Sequence, residues 1–210
     1  YFTDDVTDLT STSVTPWRDM VTRWNLVKKN PAAPRSDPVE PITFWIENTT
    51  PVELRPAIRE GVLRWNEAFE TAGFTNTVVV KEQPDTATWD AGDLRYNVLR
   101  WTASPTPPFG GYGPSFTNPR TGQILGADIM LEFIFVSNRL LQSELFDVAG
   151  QSMALSSDQS AADGCAAQSL MQQQTLLGVA ALQLEGASEV EVNAFVQQAV
   201  ISLVLHEVGH

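Results

Sequence analysis

The sequence is poor in histidine and cysteine. Of 210 residues, two are histidine and one is cysteine. A single Cys165 excludes an intrachain disulfide framework, and it reads as a small residue in a loop or satellite core. Long apolar runs are missing too. No stretch reaches the ~18 residues of a membrane span. The longest candidate, Ala194 to Leu205, is interrupted by Gln197, Gln198 and Ser202. Basic residues are scarce: 13 Lys and Arg stand against 25 Asp and Glu, for a formal net charge of −12. Such a surface repels a nucleic-acid backbone or an anionic membrane, so neither is expected as a partner. A divalent cation or a peptide is easier to accommodate. The opening YFTDDVTD is acidic and polar, unlike a signal peptide, and lacks an initiator Met, so the chain is expected to lie within a longer protein.

What is present is ordinary globular material, 43% hydrophobic and 18% charged, enough for one substantial domain with an appendage. Residues 1–41 read as an entry segment. It holds PWRDMVTRW (Pro16 to Trp24) and then a connector, NPAAPRSDPVEP (Asn30 to Pro41), whose prolines resist helix and sheet and mark a boundary. ITFWIE (Ile42 to Glu47) is β-branched and aromatic and predicts a strand. A helix is predicted from Thr50 to Gly73. Thr50 suits an N-cap with Glu53 closing a capping box, and Pro51 suits the first helical position. Leu54, Ile58, Val62, Trp65 and Phe69 recur on one face, Pro56 falls in the first turns, and Gly73 suits the stop. Further strands are predicted at Thr77 to Lys81, Leu94 to Trp101 and, as a buried run, Ile124 to Phe135. A Pro/Gly-rich stretch from Ser104 to Pro114 and the turn NPRTG (Asn118 to Gly122) separate the last two.

From Ser137 to Gly186 the composition shifts to Ala, Gln, Ser and Leu, which reads as a helical insertion. Leu141, Leu145 and Val148 suggest one helix. Leu170, Leu177, Ala181 and Leu184 suggest another, with a loop over residues 156–164 between them. The last helix opens on its own capping box, Ser188 with Glu191. Phe195, Ala199 and Leu203 carry its apolar face on toward His206 and His210.

Both histidines of the chain fall in its last five residues, H-E-V-G-H, which have the form H-E-x-x-H. Histidines four apart on a helix stand one above the other, with Cβ atoms ~6 Å apart, so two ring nitrogens can converge on one ion. Zinc suits this donor set. Glu207 is rotated ~100° from His206 and can flank the metal without binding it, placed to take a proton from an activated water and pass it to a leaving amine. Gly209 admits two readings: a fraying position at the helix end, or room for close packing under the metal. Two histidines leave zinc one protein ligand short, and a third is expected beyond residue 210. Apolar surface along the final helix would then be left uncovered, which favours self-association.

These residues resemble the metzincin-type zinc metallopeptidases, and more narrowly the large bacterial "met-zincin" zinc-dependent metalloproteases. The resemblance rests on VTRWNLVKK (Val21 to Lys29), PITFWIE, RPAIREGVLRWNEAF (Arg55 to Phe69), DLRYNVLRW (Asp93 to Trp101), GPSFTNPRTGQIL (Gly113 to Leu125), ADI (Ala127 to Ile129) and LHEVGH (Leu205 to His210). H-E-x-x-H is common to all zincins; the helix and LRYNVLRW stretches are the more telling. The resemblance implies an α+β, sandwich-like zincin fold. It has a twisted mixed sheet, a backing helix and an active-site helix, plus the insertion at 137–186, with residues 42–210 as the N-terminal part of a catalytic domain.

The resemblance further implies Zn2+ held by His206 and His210, Glu207 as general base, peptide or protein substrates, and a location outside the cytoplasm. The family continues its motif with a Gly, a third His and a methionine-containing turn, none of which is in this sequence. Its members pair an extended peptide with an edge strand. That strand maps onto Gly111 to Thr117, with Gly111, Tyr112, Gly113 and Ser115 as candidate substrate-binding residues. The run Gly110 to Gly113 would admit a close backbone, and it equally suits a plain turn. Two other readings stand beside the peptidase: a non-catalytic binding module on a zincin scaffold, against which the intact Glu207 speaks, and a different zincin clan with a downstream Glu as third ligand.

Overall fold

The structure is a computed structural model that describes residues 2–3, 10–14, 20–103, 111–132 and 166–210. Strands β1 (Phe2–Thr3) and β2 (Met20–Val21) pair antiparallel at the start of the chain. The segment after them runs into the core, where Trp24 and Leu26 pack partly buried. The Pro-rich connector then folds back on the loop after the first helices. Ser36 N donates to Gly73 O, Thr75 N donates to Ser36 O, and the Asp37 carboxylate accepts from Thr75 Oγ1 at 2.6 Å.

Strand β3 (Ile42–Ile46) alternates as its sequence does. Ile42, Phe44 and Ile46 enter the core, and Thr43 and Trp45 take the other face. The predicted helix from Thr50 instead forms two pieces, α1 (Arg55–Leu63) and α2 (Trp65–Thr71), meeting at Arg64. Its apolar face is as read: Leu54, Ile58 and Val62 are buried, and Trp65 and Phe69 pack against the same core.

Its start is not as read. No side-chain cap forms, and Thr50 is buried with its Oγ1 unpartnered among the described residues. Pro56 accounts for the later start, because a residue without an N–H fits only the first turn. Arg55 ties down the preceding turn instead, donating to Thr50 O and Asn48 O. At the far end Gly73 takes φ +87°. Bonds from Gly73 N to Glu70 O and from Phe74 N to Phe69 O close a Schellman motif there.

Five further strands complete the main sheet: β4 (Val78–Glu82), β5 (Asn97–Thr102), β6 (Gly111–Tyr112), β7 (Ser115–Thr117) and β8 (Ile124–Glu132). The order is β4-β3-β5-β8-β6, with β7 also on β8. The first four are parallel, and β6 and β7 run antiparallel to β8. This is a mixed sheet with helices, an α+β fold. The apolar run in β8 predicted a buried strand, and Gly126, Ala127, Ile129, Leu131 and Glu132 are buried. Ala127, Ile129 and Leu131 join the core, and Asp128 and Met130 are half-exposed.

The outer edge of β4 is closed by side chains. The Asn66 amide accepts from Val78 N at 2.9 Å and donates to Val78 O at 3.0 Å, and Arg59 donates to Val80 O at 2.8 Å. A sheet edge so occupied cannot template another strand.

Of the insertion, the expected helix at Leu141 to Val148, the loop over 156–164 and Cys165 lie outside the described residues. The second helix is present as α3 (Ala166–Leu184), but its buried face is not the leucine stripe. Leu170, Leu177 and Leu184 are exposed, whereas Thr175 and Val179 are buried.

Helix α4 (Glu189–Val208) starts on the predicted capping box. Glu191 N donates to Ser188 Oγ, and Ser188 N donates to the Glu191 carboxylate. It crosses α1 at Gly61, where a Cβ would lie 2.8 Å from Val204 Cβ and 2.9 Å from Ile201 O. Gly61→Ala is therefore expected to lower stability by about 1–3 kcal/mol, as overpacking does. Chemical denaturation of the variant checks this, and an unchanged midpoint would mean that the helices can part without cost. Among the described residues no helix is long and apolar enough to cross a membrane.

Candidate metal centre

Helix α4 brings its core-facing stripe, Val200, Ile201, Val204 and Glu207, against α1 and the sheet. His206 and His210 flank that stripe, half-buried. Their rings stand nearly perpendicular, 88° apart, with centroids separated by 4.8 Å. His206 Nε2 and His210 Nε2 are 3.2 Å apart.

That separation can be tested against a metal. Two nitrogens ~2.0–2.1 Å from one tetrahedral ion stand roughly 3.3 Å apart. The pair fits zinc. Without a metal the same distance is a hydrogen bond, one ring N–H donating to the other ring. Burial, and then the neighbouring His206, hold the His210 pKa below its ordinary value. This favours the neutral ring, the form that coordinates. Among the described residues no group of three or more His, Cys, Asp or Glu converges on one point.

Glu207, between the two histidines in sequence, is buried. It is 3% exposed, and its Oε1 has no hydrogen-bond partner among the described residues. Burial of the charge pushes its pKa from the ordinary 4.5 to about 7. A carboxylate of that pKa can hold and release a proton near neutral pH, as a general base must.

The strand beside Glu207 is β6. A Cβ on Gly111 would lie 2.9 Å from Glu207 Cγ, and one on Gly113 would lie 2.5 Å from Glu207 O. The lack of a side chain at both glycines lets this segment approach the helix. Of the four residues singled out from the sequence, Gly111 and Gly113 meet Glu207. Tyr112 is largely exposed, and Ser115 sits on β7 opposite Ala127.

Gly209 is settled by its surroundings. Its φ of −76° is open to any residue. A Cβ there would lie 2.7 Å from Trp65 Cζ2, so the glycine makes room for close packing. Trp65 is the contact that the sequence does not disclose. At its position on an amphipathic helix, a Trp reads as core, and no spacing rule links it to the H-E-V-G-H turn.

Compared with models of known protein families, with curated proteins and with solved structures, the chain matches none.

Proposed function

We propose that this chain carries part of the active site of a zinc-dependent peptidase of metzincin type. The observation that supports it is one turn of helix with two imidazole nitrogens 3.2 Å apart, next to a buried carboxyl group whose Oε1 has no partner among the described residues. His206 and His210 would hold zinc, and the reading requires a third ligand from elsewhere in the protein. Bound zinc supplies Lewis acidity, which makes water acidic near neutral pH and polarises a carbonyl.

The chain's own part is proton handling and substrate alignment. Glu207 takes one proton from the attacking water as the C–O bond forms. It delivers that proton to the amide nitrogen as the C–N bond breaks, leaving a carboxylic acid and an amine. Strand β6 ends the sheet order next to this carboxyl, where an extended peptide would align by main-chain hydrogen bonds. Gly111, Tyr112, Gly113 and Ser115 are its proposed contacts. Placement outside the cytoplasm belongs to the same reading and rests on the resemblance alone.

The test is zinc stoichiometry, by elemental analysis, in the protein as its cell produces it. About one tightly held zinc per chain is expected. Absence of zinc after metal-replete purification would overturn the reading and leave a non-catalytic binding module.

A further inference from the structure

The hydrogen-bond pattern of α4 changes at its end. Gly209 N donates to His206 O at 3.0 Å, and His210 N donates to Glu207 O at 3.2 Å, so the last turn tightens from an i−4 to an i−3 pattern. The N–H of Gly209, which in a regular helix would face Leu205 O, reaches His206 O. Trp65 Nε1 donates to Leu205 O at 2.9 Å. The indole also lies where a side chain on residue 209 would have to go. One ring therefore holds the carbonyl just before His206 and packs under the glycine just before His210.

The ring is itself anchored. The next residue, Asn66, clamps both backbone groups of Val78 on β4. A fixed path thus runs from the sheet edge through Asn66 and Trp65 to Leu205 and the histidine turn.

We infer that Trp65 is a positioning residue for the imidazole pair: its indole N–H fixes the tightened turn on which His206 and His210 stand. The inference rests on the zinc reading for its function, though not for its geometry. Groups that orient metal ligands from behind cost ~10–100-fold in metal affinity when removed. Trp65→Phe removes the donor together with the Cζ2–Cη2 edge of the indole that lies against Gly209.

The experiment measures zinc affinity by competition with a chromophoric chelator, on the protein as its cell produces it and on three variants. Trp65→Phe is expected to bind zinc about 10-fold more weakly. Ile58→Val, a core trim that touches neither the turn nor its carbonyl, is expected to bind as the parent does, which separates positioning from general loss of stability. Gly209→Ala, which puts a side chain against the indole, is expected to weaken zinc binding.

Equal affinity in Trp65→Phe and the parent, or equal losses in Trp65→Phe and Ile58→Val, would overturn the inference. A metal-free readout covers the remaining cases. Amide hydrogen exchange at Gly209 and His210 is expected to speed up in Trp65→Phe and not in Ile58→Val. If the parent binds no zinc, the zinc reading fails, and this exchange comparison alone decides on Trp65. If Trp65→Phe does not fold, the Gly209→Ala affinity decides, and parent-like zinc binding there overturns the inference.

Discussion

Glu207→Gln is expected to make the metal-free protein more stable at pH 8 than the parent and, on the peptidase reading, to slow hydrolysis. The carboxyl titrates at about 7 in the folded chain against an ordinary 4.5, because burial penalises the charge. Below the ordinary value both states carry the proton, and the group makes no difference. As pH rises, the unfolded chain releases its proton first and the folded chain holds on. Folding therefore loses stability between 4.5 and about 7 and stays at the lower level above. The full difference is about 3 kcal/mol, at ~1.4 kcal/mol per pH unit of displacement. Gln carries no charge and escapes the loss. The stability gap between variant and parent should widen by that amount from pH 4 to pH 8 in urea denaturation of the metal-free proteins. Parallel pH profiles would mean that the carboxyl is solvated. The same substitution should slow peptide hydrolysis by about 10²–10⁴-fold with zinc content unchanged, because it removes a base and no ligand. Retained turnover would take Glu207 out of the mechanism.

His206→Ala and His210→Ala are each expected to lose zinc. Complete zinc sites hold the ion with ~10–16 kcal/mol shared among about four ligands, so deleting one should weaken binding on the order of 10²–10³-fold. Dialysis against a weak chelator followed by elemental analysis reads this directly. Zinc content equal to the parent's in either variant would dissolve the ligand pair.

The candidate site was legible because its chemistry is contiguous. Two ligands and a base within five residues are fixed relative to one another by helix geometry alone. The face of α1 and α2 was legible for the same reason: Leu54, Ile58 and Val62 need only the helical period to be placed together. The start of that helix was not, because Thr50 had to compete with Pro56 and with the bonds of Arg55 to Asn48 O and Thr50 O. In α3 the leucine spacing gave the helix but not its buried face. Which side is buried depends on the partner, and here Thr175 and Val179 lie inward. Trp65 was hidden by distance, since its acceptor lies 140 residues away along the chain. No local rule pairs residues that far apart.

Gly61, Gly111, Gly113, Gly178 and Gly209 each lack a side chain where the final helix meets another element. Gly61 meets Ile201 and Val204, Gly113 meets the Glu207 carbonyl, and Gly209 meets Trp65. These contacts join the helix to α1, to the segment at Gly113 and to Trp65 of α2. The helix therefore has little freedom to roll or slide. The entropy of ordering the imidazoles and the carboxyl is spent when the chain folds, so on the zinc reading an arriving ion would meet a preorganised turn. Metal affinity would then depend on these packing contacts as well as on the ligands.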